Sequence, residues 1–263
     1  MNRRLVYLLA CIVLTVSCIP ARPTGNAGRN TRPTGPSLLE LPAVRQGEVI
    51  TTHVGYATCF NSSLMLPNWV AYELTEEETR GTVRRPSNSP FQQDPAYKGK
   101  QPDRSDYSRS GWDKGHLMPC ADSKWSEQVM LESFYFTNIC PQSHNLNKYE
   151  WNNLEIKCRE WARKYGAIDI VCGPLYDSPT LTRTIGRNRV WIPDGFFKVV
   201  MCRSKQQPKA IGFLFRNDGK KVSLESVVRT VDEIERITGI DFYPALDDDV
   251  ENVIEAEADL SDW

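Results

Sequence analysis

Asp113-Lys114-Gly115-His116-Leu117, followed by Thr137-Asn138, Leu146-Asn147 and Asn153-Leu154-Glu155, constrains this chain more than any other stretch. It sets an imidazole, a neutral amide oxygen and a carboxylate within about forty positions of one another. Glu155 and Arg159 are four residues apart, so on a helix they share a face, roughly 6 Å from each other. Asn147 precedes Glu155 by eight residues, two turns and about 12 Å along the axis, on nearly the same side. The same residues also suit an ordinary amphipathic helix, with Glu155 paired to Arg159 and Asn147 serving as its N-cap.

The rest of the chain supplies elements around this stretch. Val49 to Phe60 and Asn68 to Leu74 read as strands, rich in Val, Thr, Tyr and Trp and divided by Asn61-Ser62-Ser63 and Pro67. Pro86 to Ser110, with four prolines, reads as a long loop. Ser123 to Ser133 reads as a serine-capped helix and Phe134 to Ile139 as a strand. Trp151, Leu154, Cys158 and Trp161 mark a helix over Asn147 to Lys164, closed by Gly166. Ala167 to Cys172, Val190 to Cys202 and Ala210 to Phe215 are further strands, and Ser226 to Thr238 is a last helix ended by Gly239. Strands before, between and after helices, without regular alternation, imply an α+β fold with mainly antiparallel pairing.

With 263 residues, 40% of them hydrophobic, the chain can bury one full core. Its formal charge of −1 hides an asymmetry. Asp247, Asp248, Asp249, Glu251, Glu255, Glu257, Asp259 and Asp262 form a terminal block of eight acids without a Lys or Arg. Taking these from the 33 acids leaves 25 against 32 bases, a surplus that permits a polyanionic partner. The expected organisation is therefore a leader at 1–18, a tether at 19–47, a folded domain at 48–246 and an acidic tail at 247–263. The tail reads as solvated chain, with a place over a basic cleft as the sharper alternative.

Arg3 and Arg4 precede an apolar run from Leu5 to Val16, shorter than the ~20 residues a membrane span needs and suited to a signal-peptide core. Thr15-Val16-Ser17-Cys18 resembles a loose bacterial lipobox, which makes Cys18 a candidate lipid-anchored N-terminus and the membrane a partner only through that anchor. The expected location is the bacterial cell envelope or, failing the anchor, the medium. The Pro- and Gly-rich tether would hold the domain on the order of 30 Å from its anchor. Beyond the leader, Cys59, Cys120, Cys140, Cys158, Cys172 and Cys202 permit three disulfides in an oxidising compartment, with buried free thiols as the alternative. Their spacings do not suit a zinc site.

Taken as an ordered set, these motifs resemble the signature of the DNA/RNA non-specific endonucleases, whose pattern is Asp-Arg-Gly-His. Thr137-Asn138 with Pro141-Gln142, Leu146-Asn147, Trp151-Asn152-Asn153-Leu154-Glu155 and Arg159 recur at family-like intervals. The resemblance runs from about Tyr56 to Ala245 and includes Gly239-Ile240-Asp241-Phe242-Tyr243-Pro244. It implies the ββα-metal (His-Me finger) nuclease fold, with His116 as general base, Asn147 as ligand to Mg2+ or Mn2+, Glu155 holding a metal-bound water and Asn138 ordering the site. A neutral histidine suits proton abstraction near pH 7, and magnesium prefers few hard oxygen ligands among waters. The substrates so implied are DNA and RNA, cut internally to 5'-phosphate products.

Lys114 departs from the family's arginine. A lysine offers a mobile point charge where arginine grips phosphate with two parallel bonds. Phosphate binding is then expected to rest on Arg159 and on Arg84 or Arg85, of which Arg85 is the candidate. The alternative reading is a nuclease fold that binds polyanions without cutting them. The oligomeric state is left open by the sequence.

Overall fold

The computed structural model describes residues 41–88, 90–177, 183–203 and 208–263. The expected leader and all of the tether before Leu41 lie outside these residues. Among the described residues no helix is long and apolar enough to cross a membrane.

In chain order the elements are β1 (Ile50–Thr52), β2 (Ala57–Asn61), β3 (Leu66–Thr75), β4 (Asp113–His116), α1 (Glu127–Glu132), β5 (Ile139–Gln142), α2 (Trp151–Tyr165) and β6 (Ala167–Leu175). They continue as β7 (Thr184–Ile185), β8 (Val190–Trp191), β9 (Gly195–Cys202), β10 (Lys209–Arg216), β11 (Val228–Arg229), α3 (Val231–Thr238) and α4 (Asp248–Glu255). A seven-stranded sheet runs β1-β2-β3-β6-β9-β10-β11, antiparallel at each junction. The fold is thus α+β, as the sequence implied.

Strand alternation divides the apolar residues between two cores. Val70, Tyr72, Ile170, Phe196 and Val200 pack with Trp151, Leu154, Cys158 and Trp161 of α2 on one face. Trp69, Ala71, Val171, Phe197 and Val199 pack with Val231 and Ile234 of α3 and Ile254 of α4 on the other. Each face covered by helices removes apolar surface from water, the main favourable term in folding. Strands β4 and β5 stand apart as an antiparallel ribbon in which His116 lies opposite Ile139. Trp151 at the start of α2 donates its indole N–H to the His116 carbonyl at 3.3 Å, so ribbon and helix are joined at the histidine.

Several elements differ from expectation, each for a local reason. Val49 to Phe60 is not one strand but β1 and β2, folded back at Val54-Gly55, where His53 N–H donates to the Tyr56 carbonyl at 2.8 Å. A side chain at Gly55 would put its Cβ 2.4 Å from Val129 Cγ1. The strand expected at Phe134 to Ile139 begins only at Ile139, because Phe136–Asn138 form a 3-10 turn. Pro193 separates β8 from β9 inside the expected Val190 to Cys202 strand. The helix expected from Ser226 is preceded by β11 and starts after Thr230, whose hydroxyl caps Glu233 N–H at 3.1 Å. The serine cap of α1 is Ser126 rather than Ser123. The acidic terminal block contains α4, and its end packs Leu260 and Trp263 against the α2-side core. Among the described residues, Cys59, Cys120, Cys140, Cys158 and Cys172 are free thiols, four of them buried, which fits the small-apolar-residue alternative.

Candidate active site

Gly115 lets the ribbon close. A Cβ there would lie 2.1 Å from Gln142 Oε1, so the glycine makes room for the Gln142 side chain across the β4–β5 pair. Both polar atoms of Gln142 are buried without protein partners. His116, the next residue, is 9% exposed, wedged against the rings of Phe91 at 5.4 Å and Phe134 at 5.0 Å. Its Nε2 has no hydrogen-bond partner. Burial, and secondarily the Arg85 guanidinium, push its pKa down to about 3, so the ring is neutral across the physiological range. Arg85 itself is exposed, with its guanidinium 5.2 Å from the Phe134 ring. That places Arg85 at the histidine and gives no comparable contact for Arg84.

Asn147 reaches this region through Asp113. Its amide nitrogen donates to Asp113 Oδ2 at 3.0 Å, and His144 Nδ1 approaches the same oxygen at 3.0 Å. Residues Leu146–Glu150 form a π-helical turn ahead of α2, so the α-helical count from Glu155 does not fix where Asn147 points. The bond to Asp113 does. With its nitrogen engaged, the asparagine keeps its carbonyl oxygen as a hard donor, which fits a divalent ion of the magnesium class.

Glu155 and Arg159 do share a face of α2, but Arg159 pairs elsewhere. Its Nη1 meets Asp122 Oδ1 at 2.7 Å, and Tyr72 donates its hydroxyl to Asp122 Oδ2 at 3.1 Å. Arg159 is therefore anchored by a buried carboxylate rather than by Glu155. Glu155 is 8% exposed, and burial raises its pKa to about 8 against the pull of Lys198 and Arg159. Lys198 is fully buried on the α2 side of β9, its Nζ lacking a hydrogen-bond partner and lying 4.5 Å from the Trp151 ring centroid. Two acids and two bases thus lie close together beneath the helix, with burial holding the proton on Glu155 at neutral pH.

Lys114 lies on the ribbon with its Nζ 5.3 Å from the Phe91 centroid and 5.7 Å from that of Tyr107. Desolvation and the nearby Arg104 lower its pKa. Two aromatic faces thus restrain a lysine that sequence reasoning treated as mobile. A groove of about 620 Å³ continues past Phe91 and is lined by Arg104, Gln92, Gln93 and Asn88. Asn138 is not a group of the cleft. Its Oδ1 accepts from Met118 N–H at 2.8 Å, and its nitrogen donates to the carbonyls of Met118 and Ser133 at 2.9 and 2.8 Å. Fully buried and fully bonded, it locks the backbone just past His116.

Sequence reasoning missed Asp113 as the anchor of Asn147, Asp122 as the partner of Arg159, and Lys198. For Lys198 a signal exists. A lone lysine stands inside Phe196-Phe197-Lys198-Val199-Val200, where a solvated charge has no place.

The model of the DNA/RNA non-specific endonuclease family matches residues 41–249. Mitochondrial nuclease EXOG of Xenopus laevis is 32% identical over 212 residues, which cover 75% of this chain and 59% of that protein. Mitochondrial endonuclease G of Bos taurus is 30% identical over 246 residues, 88% of this chain and 80% of that one. The mitochondrial nuclease of Saccharomyces cerevisiae is 30% identical over 209 residues, covering 71% and 63%. Among solved structures, endonuclease G in its complex with the inhibitor EndoGI superposes with a TM-score of 0.70 at 25% identity, covering 75% of this chain and 86% of that one. The chain thus spans less than two thirds of the length of the frog and yeast nucleases. These relatives are named as mitochondrial, which overturns the expected bacterial-envelope location.

Proposed function

The chain belongs to the DNA/RNA non-specific endonuclease family, and from that membership we propose that it is a divalent-metal-dependent endonuclease acting on DNA and RNA. The observation that supports this reading best is a neutral, buried His116 with an uncommitted ring nitrogen, on a ribbon whose Asp113 also holds Asn147. Asn147, through its amide oxygen, and Glu155, through a water, would hold Mg2+ or Mn2+. When bound, that ion supplies positive charge against the phosphate and the departing oxygen.

His116 accepts a proton from water as the oxygen attacks phosphorus. The bond to the 3'-oxygen breaks, leaving a 5'-phosphate on one product strand. No 2'-hydroxyl takes part, so both sugar types serve. Arg85, Lys114 and Arg104 present positive charge to the phosphate backbone, which carries little sequence information. Phe91 and Phe134 exclude water from the far side of the imidazole and keep it neutral. Asp113 orients Asn147, and Asp122 orients Arg159.

Nicking of supercoiled plasmid and cleavage of RNA, with Mg2+ and with EDTA, test this reading. His116→Ala is expected to lose about 10²- to 10⁴-fold in rate, Asn147→Ala a comparable amount, and both should keep the native circular dichroism. Products should be religated without prior kinase treatment. A His116→Ala protein that is folded and still nicks at the parental rate would overturn the assignment, and mobility shift without nicking in the parent would favour a polyanion-binding protein.

A further inference from the structure

The second candidate cluster lies on the sheet face opposite α2. Asp232 and Glu235 stand one turn apart on α3, and Glu255 is the last residue of α4. One carboxylate oxygen from each of the three lies within 4.8 Å of the others. An ion with metal–oxygen distances of about 2.3–2.6 Å can contact oxygens so separated, and calcium has that reach.

Clustered acids alone do not make a site, since exposed carboxylates repel weakly and are readily solvated. Glu255 is different. It is 5% exposed, and its Oε1 is buried with no hydrogen-bond partner. It also sits at the C-terminus of a helix, where the backbone dipole is already negative. The groups that raise its pKa, after burial itself, are Glu235, Glu251, Asp232 and Asp241, all of them acids. Glu251, one turn earlier on α4, likewise has an unpartnered buried Oε1. Glu235 accepts from Phe242 N–H at 2.7 Å through Oε1, which fixes that carboxylate and leaves Oε2 for another partner. Arg229 pairs with Glu233, and Arg45 with the Thr238 carbonyl, so these two arginines are engaged elsewhere. A buried carboxyl with an unpartnered oxygen, set among other acids, is stabilised either by keeping its proton or by exchanging it for a cation.

We propose that Asp232, Glu235 and Glu255 form a binding site for a calcium-class divalent cation that fastens α4 to α3. Oxygen-only ligands from three carboxylates suit a hard cation and not zinc or copper. The site is separate from Asn147 and Glu155, and it stands or falls independently of the catalytic reading.

The test uses the chain with Asn147→Ala, which silences the proposed catalytic ion, stripped with EDTA and titrated with calcium alone. Calorimetry is expected to give one calcium per chain. Thermal melting at calcium 100-fold above its Kd is expected to rise by about 5–10 °C. Adding Glu255→Gln abolishes both effects. Asp232→Asn, at an exposed position that does not threaten folding, weakens calcium binding by at least about tenfold, since a charged ligand is lost. Absence of binding and of a melting shift at millimolar calcium would overturn the proposal. Calcium binding that survives both Glu255→Gln and Asp232→Asn would overturn it equally.

Discussion

The two faces of the central sheet bury similar apolar side chains but differ in the charge they enclose. On the α2 face, Lys198, Glu155, Asp122 and Arg159 lie inside or against the core, together with the hydroxyl of Tyr72. On the α3–α4 face, the core of Phe197, Val199, Phe242 and Ile254 encloses a smaller group, buried Asp169 paired with Arg203, which also meets Glu73, and acids gather at its rim. Buried ion pairs are weak contributors to stability. The α2 face carries the larger cluster, in which Lys198 is fully buried, whereas the arginine of the opposite face keeps some exposure.

Acid titration should give the largest contrast. The unfolded chain takes up a proton on His116 near pH 6.5, whereas the folded ring resists it until about pH 3. Stability is therefore lost as pH falls through this window, by about 5 kcal/mol at its lower end, and no further loss from this group follows below it. Urea denaturation at pH 7 and pH 4 should show a smaller acid loss in His116→Asn than in the parent. Equal losses would remove His116 as the sensitive group. Lys198→Met comes next. Leaving Glu155 and Asp122 with Arg159 alone should cost about 3–5 kcal/mol, more at pH 8 than at pH 5, where a carboxyl can take up a proton instead. A neutral effect would dissolve the distinction between the faces. Ile254→Ala, on the opposite face, should cost about 2–4 kcal/mol in denaturation and leave kcat/KM for plasmid nicking unchanged. A large fall in kcat/KM would mean that the two cores are coupled.

The sequence carried much of this arrangement and omitted a definite part. Runs such as Ile170 to Cys172 and Ala210 to Phe215 are apolar because both sheet faces are covered, so they read as strands. Gly166 and Gly239 marked helix ends because both adopt positive φ there. The turn at Gly55 was missed because its cause is the distant Val129 side chain, and the Phe136–Asn138 turn because Asn138 spends its amide on Met118 and Ser133. The motif supplied His116, Asn147, Glu155 and Arg159. It contained Asp113 but not the pairing of that residue with Asn147, 34 positions on, nor that of Asp122 with Arg159, 37 positions on. Pairings across such separations are created by packing. Likewise, α4 looked like tail because its charges dominate the composition, while Ile254 and Val250, two apolar side chains one turn apart, dock it.

The close fit of Gly115 beneath Gln142 has an evolutionary corollary. A Cβ at the glycine would lie 2.1 Å from Gln142 Oε1 and 2.7 Å from Gln142 Cβ, so even an alanine at 142 would leave the collision in place. The glycine is thus fixed by the partner strand's first side-chain carbon and not by the glutamine's length. Laboratory selections that diversify the Asp113-Lys114-Gly115-His116 segment are expected to return glycine at its third position whatever shorter side chain stands at 142.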